Sequence, residues 1–360
     1  MPLTLSLLRF WRLLCRMKSN SKNMSKAYFE HKVRAVEIDA RFKHVMAIAL
    51  DSRFGYSRGV LRCITNRSGI VDKKGNVDRS VLCKTQGDFP EHFKILEELK
   101  IEGQAEIIEK LGGDNWDFIG LEDPDIWIES ENVTHLYFTM PFLGVGENKK
   151  KWQIHLGHAV GKDLDSLQMT MPVLMADEFG GNGAKELSVA PPNKQGVRLN
   201  LIESSEKADG IWYSTVRVAI ASDMGGNWQY GETVFHPKER GIIWIGGHAS
   251  PGPLIPKKLI DVGEGKMLGF INGREADKKI DDETVYGIFS VGLFIYDYEN
   301  GKIDWVSPEP FIRDSEAKTI TFASQFVATG KDKGILYAHV DDSFVRAYTI
   351  DTEKLKTLLP

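Results

Sequence analysis

The chain is built from short apolar runs, each of which is interrupted by a turn signal before it reaches the length of a typical helix. From about Ala27 onward the runs are separated by pairs such as Gly-Asn, Asn-Gly, Asp-Gly and Pro-Gly. Runs of this kind between such pairs are typical of β-strands and the turns that join them. The clearest runs cover residues 45–50, 135–140, 152–160, 197–202, 211–221, 267–271, 286–296, 319–322, 334–340 and 344–350. The sequence therefore predicts an all-β protein.

A diffuse internal repeat indicates how these strands are grouped. Residues 152–168 and 212–229 share one form, in which a strand ending in small residues is followed by an Asp-containing turn and a polar or aromatic segment. Residues 286–306 and 344–359 resemble later copies. A spacing of about 50 to 70 residues fits four-stranded propeller blades better than a solenoid. We predict a five-bladed β-propeller, with a pair of β-sandwiches as the alternative.

Two segments depart from the strand pattern. Residues 92–110 carry apolar side chains at near-helical spacing, which predicts a short helical insertion packed on the β body. The first 25 residues are apolar but are interrupted by Arg9, Arg12 and Arg16, unlike a secretory signal or a spanning helix. We expect residues 1–25 to be a mis-start or a disordered arm, with a membrane-surface helix as the alternative. Residues 26–360 are expected to form the propeller.

Composition and charge exclude several classes of function. The formal net charge of −4 argues against a nucleic-acid surface, because phosphate binding leaves a basic footprint. The 34 glycines and 8 tryptophans favour a turn-rich β protein with the flat apolar surfaces that sugar sites use. Cys15, Cys63 and Cys83 follow no disulfide or zinc pattern, so we expect a reducing, cytoplasmic location and no structural metal.

The segment Glu122-Asp123-Pro124 places two adjacent carboxylates at a corner that leads into a predicted strand at residues 126–128. Proline favours an extended conformation for the residue before it, so the Asp123 side chain is expected to point in one defined direction. Such a carboxylate beside aromatic residues suits acid–base chemistry on a sugar. The nearby aromatic residues are Trp116, Phe118 and Trp127. The alternative is a turn in which Asp123 only caps a backbone N–H.

The same corner resembles the EDPR motif of glycoside hydrolase family 130, the mannoside phosphorylases and β-1,2-mannosidases. Segments similar to later motifs of the family follow in matching order: AKELSVAPP around Lys185, WIGGHASPGPLIP (244–256), GKMLGFINGRE (265–275) and LYAHVDDSFVRAYTI (336–350). The resemblance covers residues 118–350, whereas the sequence before Phe118 matches poorly. It implies a five-bladed propeller of the group that also contains arabinanases and invertases.

The resemblance also implies roles for individual residues. Asp123 takes the general-acid position, since a glycosidic oxygen leaves readily only when protonated and a buried Asp with a raised pKa can supply the proton. Lys185 and Asp342 fall on positions that bind sugar hydroxyls. His248, in a glycine-flanked turn, is either a further substrate contact or a structural hydrogen-bonding residue.

Two departures from the family pattern bear on the reaction. Asp125 stands where the motif has Arg, and Ile202-Glu203 stands where phosphorylases have His-Arg. Because carboxylates repel a phosphate dianion that arginine binds, phosphorolysis is disfavoured. We expect Glu203 to activate a water on the opposite face of the sugar, which requires carboxyl groups about 6.5–9.5 Å apart. The alternative is that Glu203 only pairs with Arg198 or Lys207.

Further candidates come from neighbouring positions. Arg62 and Arg58 lie on a predicted strand and either line the pocket or face solvent. Glu122 and Arg274 are predicted to bind substrate. Glu186 is expected to point away from the site, because successive side chains of a strand alternate and Lys185 already points inward.

These observations predict an inverting glycoside hydrolase that acts on a mannoside-type oligosaccharide or glycoside. The alternatives are a phosphorylase of the same family, a non-catalytic carbohydrate-binding propeller, and a furanosidase of the arabinanase or invertase type. No cofactor, metal, nucleic-acid partner or membrane span is expected, and homo-oligomerisation is left open.

Overall fold

The computed structural model describes residues 29–69, 76–176, 183–280 and 283–360, and most of this part of the chain is β-strand. In chain order the strands are β1 (Phe29–Arg34), β2 (His44–Leu50), β3 (Arg58–Ser68), β4 (Val77–Asp88), β5 (Glu91–Glu98), β6 (Trp116–Phe118), β7 (Glu122–Ser130), β8 (Val133–Gly144), β9 (Trp152–Gly161), β10 (Gln168–Met169), β11 (Lys185–Ser188), β12 (Arg198–Ala208), β13 (Ile211–Ala221), β14 (Gln229–Phe235), β15 (His248–Leu254), β16 (Lys266–Arg274), β17 (Lys278–Ile280), β18 (Glu283–Val285), β19 (Phe289–Asp297), β20 (Lys302–Val306), β21 (Thr321–Ala328), β22 (Lys333–Val340) and β23 (Phe344–Asp351). The helices are α1 (Gln104–Gly112) and α2 (Thr352–Lys356), with 3₁₀ turns at Ser52–Phe54, Gly113–Asn115, Gly146–Asn148 and Ile243–Ile245.

Within the described residues the strands form five antiparallel blades of four main strands. Blade 1 is β2-β3-β4-β5, blade 2 is β7-β8-β9-β10, blade 3 is β11-β12-β13-β14, and blade 4 is β15-β16-β19-β20. Blade 5 is β21-β22-β23-β1, so its outer strand comes from the opposite end of the described chain. Strand β6 adds to blade 2, and the β17–β18 hairpin is an insertion in blade 4.

The blades close into a ring. Their innermost strands contact one another in sequence, β2 with β7, β7 with β11, β11 with β15, β15 with β21, and β21 again with β2. Among the described residues, five buried apolar clusters each span one pair of neighbouring blades, including the pair formed by blades 5 and 1. The predicted five-bladed β-propeller is confirmed.

Packing between two blades explains why the middle strands are continuous apolar runs. In β8, Leu136 and Phe138 face the cluster shared with blade 1, whereas Tyr137 faces the cluster shared with blade 3. A strand covered on both faces buries successive side chains. The repeated segments predicted from sequence begin in or next to β9, β13, β19 and β23, which are the third strands of blades 2 to 5.

The predicted helical interval is only partly correct. Residues 104–112 form α1, but residues 91–98 form β5, the outer strand of blade 1. In β5, Phe93 and Ile95 are buried while His92 and Lys94 are exposed, which is the period of two of a strand. The near-helical spacing combined the apolar residues of a strand and of a helix into one pattern.

The predictions for the N-terminal segment lie outside the described residues. In the part of the chain that the structure covers, helices are too short or too polar to cross a bilayer.

All five inner strands carry a local shift in strand register, at Ala47 in β2, Asp123 in β7, between Lys185 and Ser188 in β11, between Pro251 and Leu254 in β15, and near Ser324 in β21. Such bulges re-aim side chains. In blades 1 to 3 the bulge holds a non-glycine residue at positive φ: Ala47 at 33°, Asp123 at 47° and Glu186 at 54°. The extended conformation expected for Asp123 is therefore wrong, because the bulge overrides the preference set by Pro124.

Candidate active site

Polar side chains from all five blades meet where the inner strands converge. Arg62, on β3 of blade 1, donates to two carboxylates of blade 2. Its Nη1 lies 2.9 Å from Asp123 Oδ1 and its Nη2 lies 2.5 Å from Glu122 Oε1. The Arg62 side chain is 8% exposed and that of Asp123 is 6% exposed, so this ion pair is almost fully removed from water. Arg62 therefore lines the centre rather than facing solvent.

Glu186 also reaches this centre, where its carboxyl group interacts with that of Asp123. The prediction that only one of Lys185 and Glu186 could point inward is wrong. The alternation of side chains applies to regular strands, whereas Glu186 has a φ of 54° at a shift in register. The bulges in β7 and β11 thus bring two carboxyl groups from neighbouring blades together.

The two carboxyl groups have opposite pKa shifts. Burial raises the pKa of Glu186 well above its ordinary value, and the negative charges of Asp123 and Glu203 raise it further. Burial also acts to raise the pKa of Asp123, but Arg62, His339, Lys185 and the hydrogen bond from Glu186 together lower it. The raised pKa expected for Asp123 is therefore found on its partner. These opposite pKa shifts favour Glu186 over Asp123 as the residue that carries a proton shared by the pair.

Glu122 has a similar balance of effects. Burial raises its pKa to about 7, although Arg62 opposes this shift. Asp125, which replaces the arginine of the family motif, lies on the same strand, and burial raises its pKa to about 7 as well. Two further carboxyl groups of β7 can therefore carry protons near neutral pH, which reduces the negative charge of this blade.

Glu203 lies on β12, and its side chain is 1% exposed. Its Oε1 is 3.0 Å from Lys185 Nζ, and its Oε2 is 3.1 Å from His248 Nε2. Burial would raise the pKa of Glu203, but His248 and Lys185 lower it, so the carboxylate stays ionised. Burial lowers the pKa of His248 despite the neighbouring Glu203, so the imidazole is neutral at pH 7.

The alternative partners considered for Glu203 are engaged elsewhere. Arg198 donates to the backbone oxygen of Ala190 and stacks over Trp127, with 5.0 Å between its Cζ and the ring centroid. Lys207 lies over the ring of Trp212 at 6.0 Å. Glu203 therefore pairs with residues of the centre, not with these surface cations.

Aromatic rings and histidines complete the centre on blades 4 and 5. The His248 ring meets the edge of Phe289 at a centroid distance of 4.8 Å, and Phe289 contacts Phe322 at 5.9 Å. Phe322 stacks on His339 at 5.0 Å, and His339 Nε2 lies 3.2 Å from Asp342 Oδ1. The charge of Asp342 in turn helps to raise the pKa of Arg62, so the circuit of interactions returns to blade 1.

Arg274 lies at the edge of this circuit. It is opposite His248 in the β15–β16 pairing, its Nη1 is 3.1 Å from Asp277 Oδ1, and its Cζ lies 5.6 Å from the Phe289 ring centroid. Its buried Nε has no hydrogen-bond partner among the described residues. Arg58, by contrast, is exposed and stacks over Phe54 at 4.8 Å, away from the other candidates.

The structure brings together the eight residues predicted from sequence: Arg62, Glu122, Asp123, Lys185, Glu203, His248, Arg274 and Asp342. It adds Glu186, Phe289, Phe322 and His339, which sequence reasoning missed as site residues. The aromatic residues expected around Asp123 are elsewhere, because Trp116 and Phe118 pack on the core between blades 1 and 2. Trp127 packs against His135 at 5.1 Å.

Comparisons with known proteins identify solved structures that share this fold. The sequence matches no protein-family model and no curated protein. Among solved structures, a glycosyl hydrolase from Bacteroides ovatus aligns with a TM-score of 0.59 and 16% identity, over 87% of this chain and 85% of that one. A β-1,2-mannobiose phosphorylase from Listeria innocua aligns at 0.58 and 13%, over 89% and 94%. MPT-4, a mannose phosphorylase from Leishmania mexicana, aligns at 0.54 and 12%, over 96% and 95%.

The chain therefore has a five-bladed propeller fold that it shares with these structures. The structures that share it include a β-1,2-mannobiose phosphorylase and a mannose phosphorylase, in agreement with the family that the Glu122-Asp123-Pro124 segment resembles. At these sequence identities the likeness establishes the fold, and the chemistry depends on the side chains at the centre.

Proposed function

We propose that the protein is an inverting glycoside hydrolase that acts on a mannoside-type glycan. The observation that carries this proposal is the buried Asp123–Glu186 pair, in which the pKa of Glu186 is raised and that of Asp123 is lowered. Hydrolysis of a glycoside requires a proton on the leaving oxygen and a base for the attacking water. A carboxyl pair that shares a proton can supply the first of these, and Glu203 with His248 can supply the second.

Asp123 is the general acid in this proposal, and Glu186 stores its proton. As the bond between the anomeric carbon and the glycosidic oxygen breaks, the shared proton passes through Asp123 to that oxygen. Arg62 contacts both Asp123 and Glu122 and holds the Asp123 carboxylate in one orientation. The second carboxyl group allows a proton to be retained at a pH at which Asp123 alone would be ionised.

The base is the Glu203–His248 pair. The Glu203 side chain is buried, whereas the His248 side chain is 15% exposed and its imidazole is neutral. A water that adds to the anomeric carbon from the opposite face gives its proton to this pair, and Glu203 stabilises the resulting imidazolium. Lys185 keeps the Glu203 carboxylate in position through its 3.0 Å contact.

The charges at the centre favour water over phosphate as the acceptor. Of the described residues at the centre, the cations Arg62, Lys185 and Arg274 each contact a carboxylate already. A phosphate dianion would have to compete for these cations and approach Glu203 and Asp342. A phosphorylase remains the second candidate, since two of the solved structures with this fold carry that activity in their names.

The cytoplasmic location is also a proposal. It is supported by Cys63 and Cys83, which lie buried in blade 1 as free thiols. Free thiols of this kind are typical of proteins kept in a reducing compartment.

The proposal is tested by comparing the wild type with Asp123→Asn on β-1,2-linked mannooligosaccharides, with arabinofuranosides and fructans alongside. Asparagine keeps the shape of the side chain but carries no transferable proton. We expect wild-type hydrolysis of the mannoside and a loss in kcat of about a hundred- to ten-thousandfold in the variant. Release of sugar only from the furanosides, or binding of the mannosides without turnover by the wild type, would contradict the proposal.

A further inference from the structure

One face of blade 3 leads from the centre to the protein surface. Three cross-strand pairs of β12 and β13 lie on the same side of the sheet, because each pair is two residues along the strands from the next. The pairs are Glu203 and Val216, Ser205 and Ser214, and Lys207 and Trp212. The next pair on this side, Leu201 and Val218, lies two residues further from the β12–β13 turn and belongs to the cluster packed between blades 3 and 4. These side chains therefore face blade 4.

Burial decreases steadily along this face. Glu203 and Val216 are buried, Ser205 and Ser214 are partly exposed, and Lys207 and Trp212 are exposed. The backbone of Ser214 is bridged to that of His248 in blade 4, so this part of the face lies beside the proposed base. Trp212 lies four residues from Val216, a distance of about 13 Å along the strand. An apolar core thus gives way, over this distance, to hydroxyl groups and then to an exposed indole.

The outer end of the face has the chemistry of a sugar contact. The Trp212 residue is 49% exposed, and Lys207 Nζ lies 6.0 Å from its ring centroid. An indole offers a flat apolar surface to the C–H face of a pyranose, and the ammonium group offers hydrogen bonds to its hydroxyl groups. A buried core tryptophan would be covered on both sides, whereas this ring is held in place and left accessible.

We propose that Lys207 and Trp212 form a distal sugar-binding site for an oligosaccharide that extends from the centre along this face of blade 3. The inference rests on the proposed function, which sets the direction in which the oligosaccharide lies and the class of sugar it contains. It defines the substrate as an oligosaccharide longer than a disaccharide, because Trp212 lies about 13 Å along the strand from Val216, the residue that pairs with Glu203. Ser205 and Ser214 lie between the centre and the distal site.

The test measures binding without turnover, in the Asp123→Asn background, by calorimetry with β-1,2-mannobiose and β-1,2-mannotetraose. Trp212→Ala is expected to weaken mannotetraose binding about tenfold, which corresponds to about 1.4 kcal/mol, and to leave mannobiose binding unchanged. Ile211→Ala is the matched control: Ile211 is 58% exposed on the same hairpin but points to the other side of the sheet.

Equal affinities of the parent and Trp212→Ala for mannotetraose would overturn the inference, as would no binding of either sugar. Failure of the proposed function gives a different result. If the wild type hydrolyses neither sugar but the Trp212→Ala effect on mannotetraose is present, the distal site stands and only the hydrolase assignment fails.

Discussion

Asp123 and Glu186 depend on each other for their protonation state. Asp123 alone, beside Arg62 and His339, has its pKa lowered and would be an anion at neutral pH. The pKa of Glu186 is raised by burial and, in addition, by the negative charges of Asp123 and Glu203. The proposed acid of this centre therefore depends on two residues from different blades.

Replacing Glu186 by glutamine tests this dependence. Glu186→Gln removes the stored proton and leaves an N–H donor, while Arg62 still lowers the pKa of Asp123. At neutral pH we expect kcat to fall by about a hundredfold or more. Because activity requires a protonated acid, it is lost as pH rises through the pKa of that acid. The alkaline limb of the kcat profile should accordingly move to lower pH in the variant.

The control for this experiment is Glu206→Gln, since Glu206 lies on the opposite side of β12 from Glu203 and accepts a hydrogen bond from Thr233. Its profile should match that of the wild type. A Glu186→Gln enzyme with a normal rate and an unshifted alkaline limb would show that Asp123 works without a proton store.

The sequence could predict which residues meet at the centre better than what they do there. Charged residues at strand entrances, such as Asp123 and Lys185, carry a recognisable pattern. Glu186 was assigned to the wrong face because its direction depends on a bulge, which no local residue type encodes. Phe289 and His339 lie on strands of blades 4 and 5. Their contact through Phe322 appears only when the ring is closed.

At the scale of elements, closure of the ring depends on how β1 is held in blade 5. Asp314, in the connection between β20 and β21, is buried and binds both outer strands of that blade. Lys32 of β1 donates to Oδ1 at 2.8 Å, and Arg346 and Tyr348 of β23 donate to Oδ2. Burial would raise the pKa of Asp314, but the hydrogen bonds from Lys32, the Glu316 backbone and Tyr348, with the charge of Arg346, lower it to about 2.

Asp314→Asn should destabilise the protein through these contacts. A folded-state pKa of about 2 against an ordinary value of 3.8 corresponds to about 2 kcal/mol of unfolding free energy at pH 7. Because the pKa is lowered on folding, this stabilisation is present above about pH 4 and is lost as pH falls towards 2. Denaturant unfolding at a series of pH values should show the gap between wild type and variant narrowing over that window.

Glu316→Gln provides the comparison for this prediction. Glu316 contacts the same cations, at 3.2 Å from Lys32 and 3.1 Å from Arg346, but its side chain is 63% exposed. An exposed ion pair contributes little, so we expect a change within about 0.5 kcal/mol. If the two variants were equally stable, the buried carboxylate would not be what fixes β1.

How well a strand or helix can be predicted from sequence depends on how much of it is buried. The middle strands were found because burial on both faces makes them long apolar runs, as in β8 and β13. The sequence of the outer strand β5 resembles part of a helix, because an edge strand is half polar and its few apolar residues continue the pattern of those in α1. Edge strands carry the weakest pattern, and their place in a blade is set by pairing with a distant segment.

At the scale of the whole molecule, the centre exists only when all five blades are in place. Arg62 comes from blade 1, Asp123 from blade 2, Glu186 and Glu203 from blade 3, His248 from blade 4 and Asp342 from blade 5. The blades are held by apolar clusters between each neighbouring pair. Disruption of any one interface is therefore expected to affect the relative positions of acid and base.

The proposed mechanism transfers a glycosyl group to water with inversion. It is tested most directly by following the reaction with β-1,2-mannobiose in phosphate-free buffer by proton NMR, before the released sugar mutarotates. We predict that α-mannose appears first and that added phosphate does not change the rate, because the base activates water on the face opposite the acid. Release of β-mannose, or a reaction that proceeds only with phosphate and yields mannose 1-phosphate, would contradict the account.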